Sequence, residues 1–187
     1  MILLTLGVVL FTLTHLYPCF APAHRARLRE RLGEQRYKGL FSLLIFVALA
    51  CIISGWRTTS PLPLYFLPEW GPLAMMGMMP IALILFFAGQ GSNHLRRWLI
   101  HPQLLGTQLW AVAHLLVNSE ARSLVLFGGI GLWALVSIIW ISLRDWQTYL
   151  RPAANWTGTA ISVGTGLAAT ALLIFWGHGW LTGIPLH

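Results

Sequence analysis

Six apolar segments fill this chain, each near the ~20 residues that cross a bilayer as a helix, and they leave little else to fold with. They run Ile2–Phe20, Gly39–Trp56, Gly71–Gly89, Pro102–Asn118, Arg122–Ser142 and Gly158–Trp180. Only 9% of the 187 residues are charged, against ~25% in a soluble domain. In lipid the backbone must satisfy its own hydrogen bonds, so such segments are expected as helices. The expected fold is an all-α integral membrane protein. It is a single transmembrane domain over residues 1–187, a bundle of about six helices with no room for a separate soluble unit. The fourth segment is the shortest and suits a helix placed among others better than one facing lipid all round.

Ten of the twelve Lys and Arg residues fall in alternate loops: Arg25, Arg27, Arg29, Arg31, Arg36 and Lys38, then Arg96 and Arg97, then Arg144 and Arg151. Arg57 and Arg122 are left on the opposite side. The positive-inside rule then sets the basic loops in the cytoplasm and both termini in the periplasm. The net charge of +7 is accounted for by topology and anionic lipid headgroups, at ~1 kcal/mol per basic residue near the surface. Nucleic acid is not needed as a partner. The first segment lacks a basic leader and precedes an Arg-rich stretch, so it is expected as an anchor and not a cleaved signal peptide.

Local signals fill in the connections. Pro18 and Pro22 should end the first helix. Residues 24–38 read as a short amphipathic helix on the headgroups or as a solvated connector. Residues 57–70, rich in proline and aromatics, should be ordered at the interface and could form a lid. Trp56, Trp70, Trp98, Trp146, Trp156 and Trp180 fall near segment ends, where indoles anchor in the headgroup layer. Gly158, Ser162, Gly166 and Thr170 recur every four residues, a stripe for close helix packing within the bundle or in a homo-oligomer. Cys19 and Cys51 form no Cys-x-x-Cys pair and read as packing residues.

The residue that asks most for chemistry is His114, an imidazole inside an apolar segment with no charged residue to pair with. With Gln103 at zero on a wheel of about 100° per residue, Trp110 falls near −20°, His114 near 20°, Thr107 near 40° and Asn118 near 60°. The polar side chains of this segment thus make one narrow stripe. His15 is the other histidine well inside a segment, with Val8, Phe11 and Thr12 on its face. Two intramembrane histidines without a carboxylate point to a metal or haem before proton transfer. The residues alone leave open whether His114 is a ligand or a buried histidine bonded to a neighbouring helix. By chain position His114 should lie deeper than His15, and a tilted porphyrin plane could bridge the offset. His101 lies about 140° from His114 on the wheel. It should not share its site, though it could touch a substrate or cap a helix. His94 belongs to a cytoplasmic loop, His178 reads as interfacial, and His24 and His187 as surface residues.

Absences narrow the function. No Asp or Glu lies within a segment, which argues against proton- or sodium-coupled transport. No phosphate-binding or dinucleotide loop and no His-Glu-x-x-His occurs. A carboxylate acid/base pair would have to come from Glu30, Glu34, Glu69, Glu120 or Asp145, none of which has an evident partner.

Two motifs carry a resemblance. One is His15-Leu16-x-Pro18, then an Arg-rich stretch and Arg36-Tyr37-Lys38-Gly39-Leu40-Phe41-Ser42. The other is His101-Pro102-x-Leu104-x-Gly106-x-x-x-Trp110-Ala-x-Ala-His114-Leu-Leu-x-Asn118, followed by Ser123-Leu-x-Leu-Phe127-Gly128. Together they resemble the NnrU family over about residues 5–145. That family is associated with bacterial nitrite and nitric oxide metabolism and is similar to the plant 15-cis-zeta-carotene isomerases, membrane enzymes with haem b held by two histidines.

The resemblance implies a bacterial inner-membrane protein with non-covalent haem b on His15 and His114, walled by Phe11, Thr12, Gln103, Thr107, Trp110 and Asn118. His101, in the shared His-Pro motif, is then the candidate catalytic residue. It also implies a lipophilic polyene or NO as substrate, or a non-catalytic role as partner or assembly factor of respiratory nitrogen-oxide enzymes. The His-Pro-x-x-x-Gly element also resembles the isoprenylcysteine-type membrane methyltransferases. Against methyl transfer, Ile100 replaces the usual preceding Arg, Leu105 the usual aromatic, and nothing after Asp145 is acidic.

Overall fold

The computed structural model describes all residues except 146, 148–150, 185 and 187, so the expectations for Trp146 and His187 lie outside the described residues. Eight helices follow one another: α1 (Ile2–Phe20), α2 (Pro22–Leu32), α3 (Glu34–Thr58), α4 (Gly71–Ala88), α5 (His94–Trp98), α6 (Pro102–Leu115), α7 (Ala121–Asp145) and α8 (Trp156–Thr182). No strand occurs among the described residues, only an isolated bridge between Pro63 and Glu120.

Five helices, α1, α3, α4, α7 and α8, are long and apolar enough to cross a membrane. The sixth expected crossing, α6, stops at Leu115 rather than Asn118. With 14 residues it spans about 21 Å at 1.5 Å per residue, short of the ~30 Å hydrocarbon layer. It nonetheless runs from one end of the bundle to the other, packed against α4 and α7, and Val112 is its only exposed residue. The helices contact in the order α3, α1, α7, α6, α4, α8, and the last turn of α8 reaches α3.

Backbone chemistry sets the breaks. Pro22, Pro72 and Pro102 open their helices at the first turn, where a missing N–H costs nothing. Pro18 sits inside α1, and the helix runs past it to Phe20. The proline that marks the boundary is Pro22 alone. The 24–38 stretch is not one unit. Gly33, at φ 77°, separates α2 from α3. Glu34 then opens α3 with ion pairs to Lys38 at 2.9 Å and Arg29 at 2.7 Å. The expected α2 helix forms and buries no residue. Asn155 caps α8 by accepting from Gly158 N–H at 2.6 Å.

Small residues decide which helices touch. A Cβ at Gly7 of α1 would come 2.8 Å from Ile52 N of α3, and one at Gly166 of α8 would come 2.6 Å from Ile84 Cα of α4. The Gly158–Thr170 stripe therefore packs within the bundle, onto α4, with Ser162 buried beside it. The apolar side chains point out instead: Phe66, Ile2, Leu73 and Met76 are among the most exposed residues, while Asn93, Ser123 and Ser137 are fully enclosed. That inversion suits a lipid surround.

Trp70, Trp98, Trp156 and Trp180 are exposed, as interfacial anchors should be. Trp56 is not one of them. It is buried against Phe127 at 5.8 Å, under the Arg122 guanidinium at 4.4 Å.

Candidate functional site

His15 and His114 share one local construction. Each imidazole Nδ1 lies 2.9 Å from the carbonyl four residues back, Phe11 O for His15 and Trp110 O for His114. In each case the i−4 residue is aromatic and packs on the ring, Phe11 at 4.1 Å and Trp110 at 5.0 Å. A carbonyl accepts only, so Nδ1 carries a proton, and in the neutral ring Nε2 keeps its lone pair. Each helix thus sets the tautomer of its own histidine. This is the state and orientation a metal-ligating histidine needs.

The two sites differ in what surrounds them. His114 is 6% exposed although it lies in the last turn of α6. It is shielded because other segments close over it. Phe127 stacks on its face at 4.3 Å and 22°, from a π turn at Leu124–Gly128 in α7. Such turns add a residue to a helix and re-aim its side chains.

Above them the 57–70 loop is zipped to the chain after α6, as a lid would be. Leu64 N–H donates to Ser119 O, Ala121 N–H to Leu62 O, and the Tyr65 hydroxyl to Leu115 O at 2.6 Å or Asn118 O at 2.8 Å. Burial raises the Tyr65 phenol above its usual pKa. His15 is half-buried, among Phe11, Trp133 at 5.0 Å and Phe41 at 5.8 Å.

The imidazoles do not meet directly. Phe127, which covers His114, and Trp133, which covers His15, lie six residues apart on α7, about 9 Å along the helix. Between these levels runs one apolar cluster, with Val8, Phe127 and Ile130 buried and Phe11, Trp110 and Trp133 packed against it. Phe11 and Trp110 thus stand where the sequence reading put them.

The remaining candidates are placed differently. Thr12 has no recorded hydrogen bond, and the buried hydroxyl of α1 belongs to Thr14. Thr107 bonds back to Gln103 O, and Asn118 Nδ2 to His114 O. Gln103 packs toward Gly89 at the end of α4, away from the aromatic cluster. His101 Nε2 lies 3.0 Å from Ser142 Oγ, at the opposite end of α6 from His114. Burial lowers its pKa, with the Asp145 charge pulling the other way. His101 therefore stands apart from the His15–His114 cluster.

Several residues escaped the sequence reading. Arg122, read only as a loop charge, is 8% exposed. It pairs with Glu120 at 2.7 Å and donates to Trp56 O and Thr59 O at 3.2 and 3.0 Å. Three of the five candidate carboxylates, Glu34, Glu120 and Asp145, hold basic partners. Asn93 is fully buried and bonds Ala88 O and Gln90 O. His94 opens the short helix α5 in the connection between α4 and α6 and is fixed by Thr159 Oγ1 at 3.0 Å and Trp156 at 4.2 Å, so it docks α5 on α8. His178 lies within electrostatic reach of His114, a proximity no spacing in the sequence reveals.

A haem asks for two neutral imidazoles, apolar walls and donors for its polar edge. The first two are present. For the third, Trp133 Nε1 beside His15 and Ser137 Oγ one turn further on are buried without a hydrogen-bond partner. Such orphaned groups in a dry core ask for an additional acceptor. Among the described residues no group of three or more His, Cys, Asp or Glu could hold a bare metal ion. His15 and His114 are the residues that would hold a haem, and the aromatic cluster keeps them apart.

The fold defines a polytopic all-α membrane protein with two histidines inside its apolar helices. The family profile described as NnrU protein matches residues 3–186, nearly the whole chain, and the protein belongs to that family. Comparison with curated proteins and with solved structures gives no match.

Proposed function

We propose that this NnrU-family protein binds one haem b non-covalently through His15 and His114 and carries out a redox or isomerase-like reaction on a lipophilic or gaseous substrate. A role in nitrite and nitric oxide metabolism fits the family. The reading includes a bacterial inner-membrane location with the basic end of the bundle cytoplasmic. The observation that carries it is the duplicated construction of the two histidines, each with its Nδ1 held by the carbonyl of a packed aromatic and its Nε2 left as a donor to metal.

When bound, haem supplies one-electron chemistry, and its potential is set by axial ligands and burial. The protein's own part is to fix both tautomers, keep water from His114 with the zipped loop, and hold the aromatic walls. Loading requires the cluster of Phe11, Trp110, Phe127 and Trp133 to part. His101 stands apart from this centre. Its place in the proposal is at the basic end, as a hydrogen-bonding group for substrate or for Ser142.

The test is to express the protein with haem supplied, purify it in mild detergent and record oxidised and dithionite-reduced spectra of wild type, His15→Ala and His114→Ala. A Soret band with sharp low-spin α and β peaks on reduction, altered in each variant, is expected. A colourless folded wild type would return both histidines to packing and move the search to a protein partner.

A further inference from the structure

At the basic end of the bundle, α1, α2 and α3 enclose a groove of about 260 Å³ lined by Leu13, Leu28, Tyr37, Leu40, Phe41 and Leu44. Its walls, which include Thr14 and Tyr17, are almost wholly apolar, and two unpartnered polar groups meet at Tyr37. The Tyr37 hydroxyl is buried without a partner, in a residue only 7% exposed. Arg25 Nε is also buried without a partner, and its guanidinium lies 5.9 Å over the Tyr37 ring. No carboxylate pairs with Arg25 among the described residues, since Glu34, the nearby acid, is held by Arg29 and Lys38. Arg27, Arg31 and Arg36 stand on the same two helices.

We infer that this groove binds one anionic phospholipid, with an acyl chain between α1 and α3 and its phosphodiester oxygens accepting from Arg25 Nε–H and Tyr37 O–H. Arg Nε can only donate, and a hydrocarbon occupant would leave both groups unpaired. A phosphodiester supplies acceptors and a negative charge in one group. The volume lies just below the ~300–1,000 Å³ of small-molecule sites, so it takes part of one chain and not a whole extended polyene. The surplus of Arg on α2 selects the anionic headgroup over a zwitterionic one. Tyr37 lies in the Arg36–Ser42 motif, which the histidine centre leaves without a role. Phe41 links the two sites, since it lines the groove and also packs against His15 at 5.8 Å.

The experiment uses the full chain in detergent and native mass spectrometry, titrated separately with dioleoylphosphatidylglycerol and dioleoylphosphatidylcholine. Wild type should retain one phosphatidylglycerol per chain and bind phosphatidylcholine more weakly, because the choline cation faces the Arg surplus while its phosphodiester offers the same acceptors. Arg25→Gln and Tyr37→Phe should each weaken retention of phosphatidylglycerol about tenfold, the scale of one charge-assisted hydrogen bond, while Arg27→Gln, on the exposed face of the same helix, should keep it. Equal retention of the two lipids by wild type would overturn the proposal. So would equal losses in Arg25→Gln and Arg27→Gln, which would mean diffuse attraction to α2 and no site. Arg25 is half-exposed, so its variant keeps the test decisive if Tyr37→Phe fails to fold.

Discussion

Around His114 the bundle is closed by a loop zipped to the chain after α6, a buried Arg122–Glu120 pair and a stacked Phe127. Around His15, at the other end, the neighbours are a half-open aromatic wall, a groove and exposed ion pairs such as Arg29–Glu34. The two histidines have the same tautomer and the same kind of aromatic cover, so the difference lies in the surroundings alone. A ligand sealed from solvent and held by several segments is hard to displace, and one at a half-open wall is easier to exchange. Under the proposed haem reading, His114 would be the fixed ligand and His15 the exchangeable one.

The largest effect expected from this asymmetry is spectral. His114→Ala should lose haem on purification, whereas His15→Ala should keep a substantial fraction as high-spin haem held by His114. Haem content and the high-spin absorption band check it, and equal losses in both variants would remove the asymmetry.

Next in size is the contrast between ion pairs. Arg122→Met leaves a mostly buried Glu120 carboxylate and two carbonyls without their donor, a change costing about 3 kcal/mol. Arg29→Met, in a pair whose side chains are 37% and 51% exposed, should change stability by about 0.5 kcal/mol or less. Thermal melting in detergent compares them, and similar midpoints would mean that Arg122 is solvated.

Tyr65→Phe comes third. It removes the hydroxyl that bonds Leu115 O and Asn118 O, at a cost of about 1 kcal/mol. Amide exchange should quicken at Leu64 and Ala121, which form the zip, and stay unchanged in α2.

The smallest effect is in pH. Burial lowers the folded pKa of His101 below the ordinary imidazole value of 6.5, so the unfolded chain binds the proton more readily. Its contribution to stability is fully present above pH 6.5 and is lost as pH falls through the lowered folded value. Melting of wild type should drop modestly between pH 7.5 and 5, and His101→Gln should flatten that slope.

The sequence made the membrane class, five long crossings and the Phe11–His15 and Trp110–His114 pairs readable, because length, hydropathy and i, i+4 spacing are local properties. The helical wheel also separated His101 from His114. What it could not show depends on distant segments meeting. Trp56 looks like any interfacial tryptophan until Arg122, 66 residues later, lies over it. Tyr65 lies in a loop whose partner is the end of α6. A π turn has no composition of its own, so Phe127 could not be aimed at His114 from its motif. The end of α6 was placed too late because Leu116 and Val117 are as apolar as the helix before them, and hydropathy does not register a turn.

The most direct measurement is the haem-to-chain ratio of wild type, taken by pyridine haemochrome assay on protein purified from membranes with no haem added after lysis. A ratio near one, as haem b extractable by acid acetone, is expected. A ratio near zero in protein that is folded and melts cooperatively would contradict haem binding at His15 and His114.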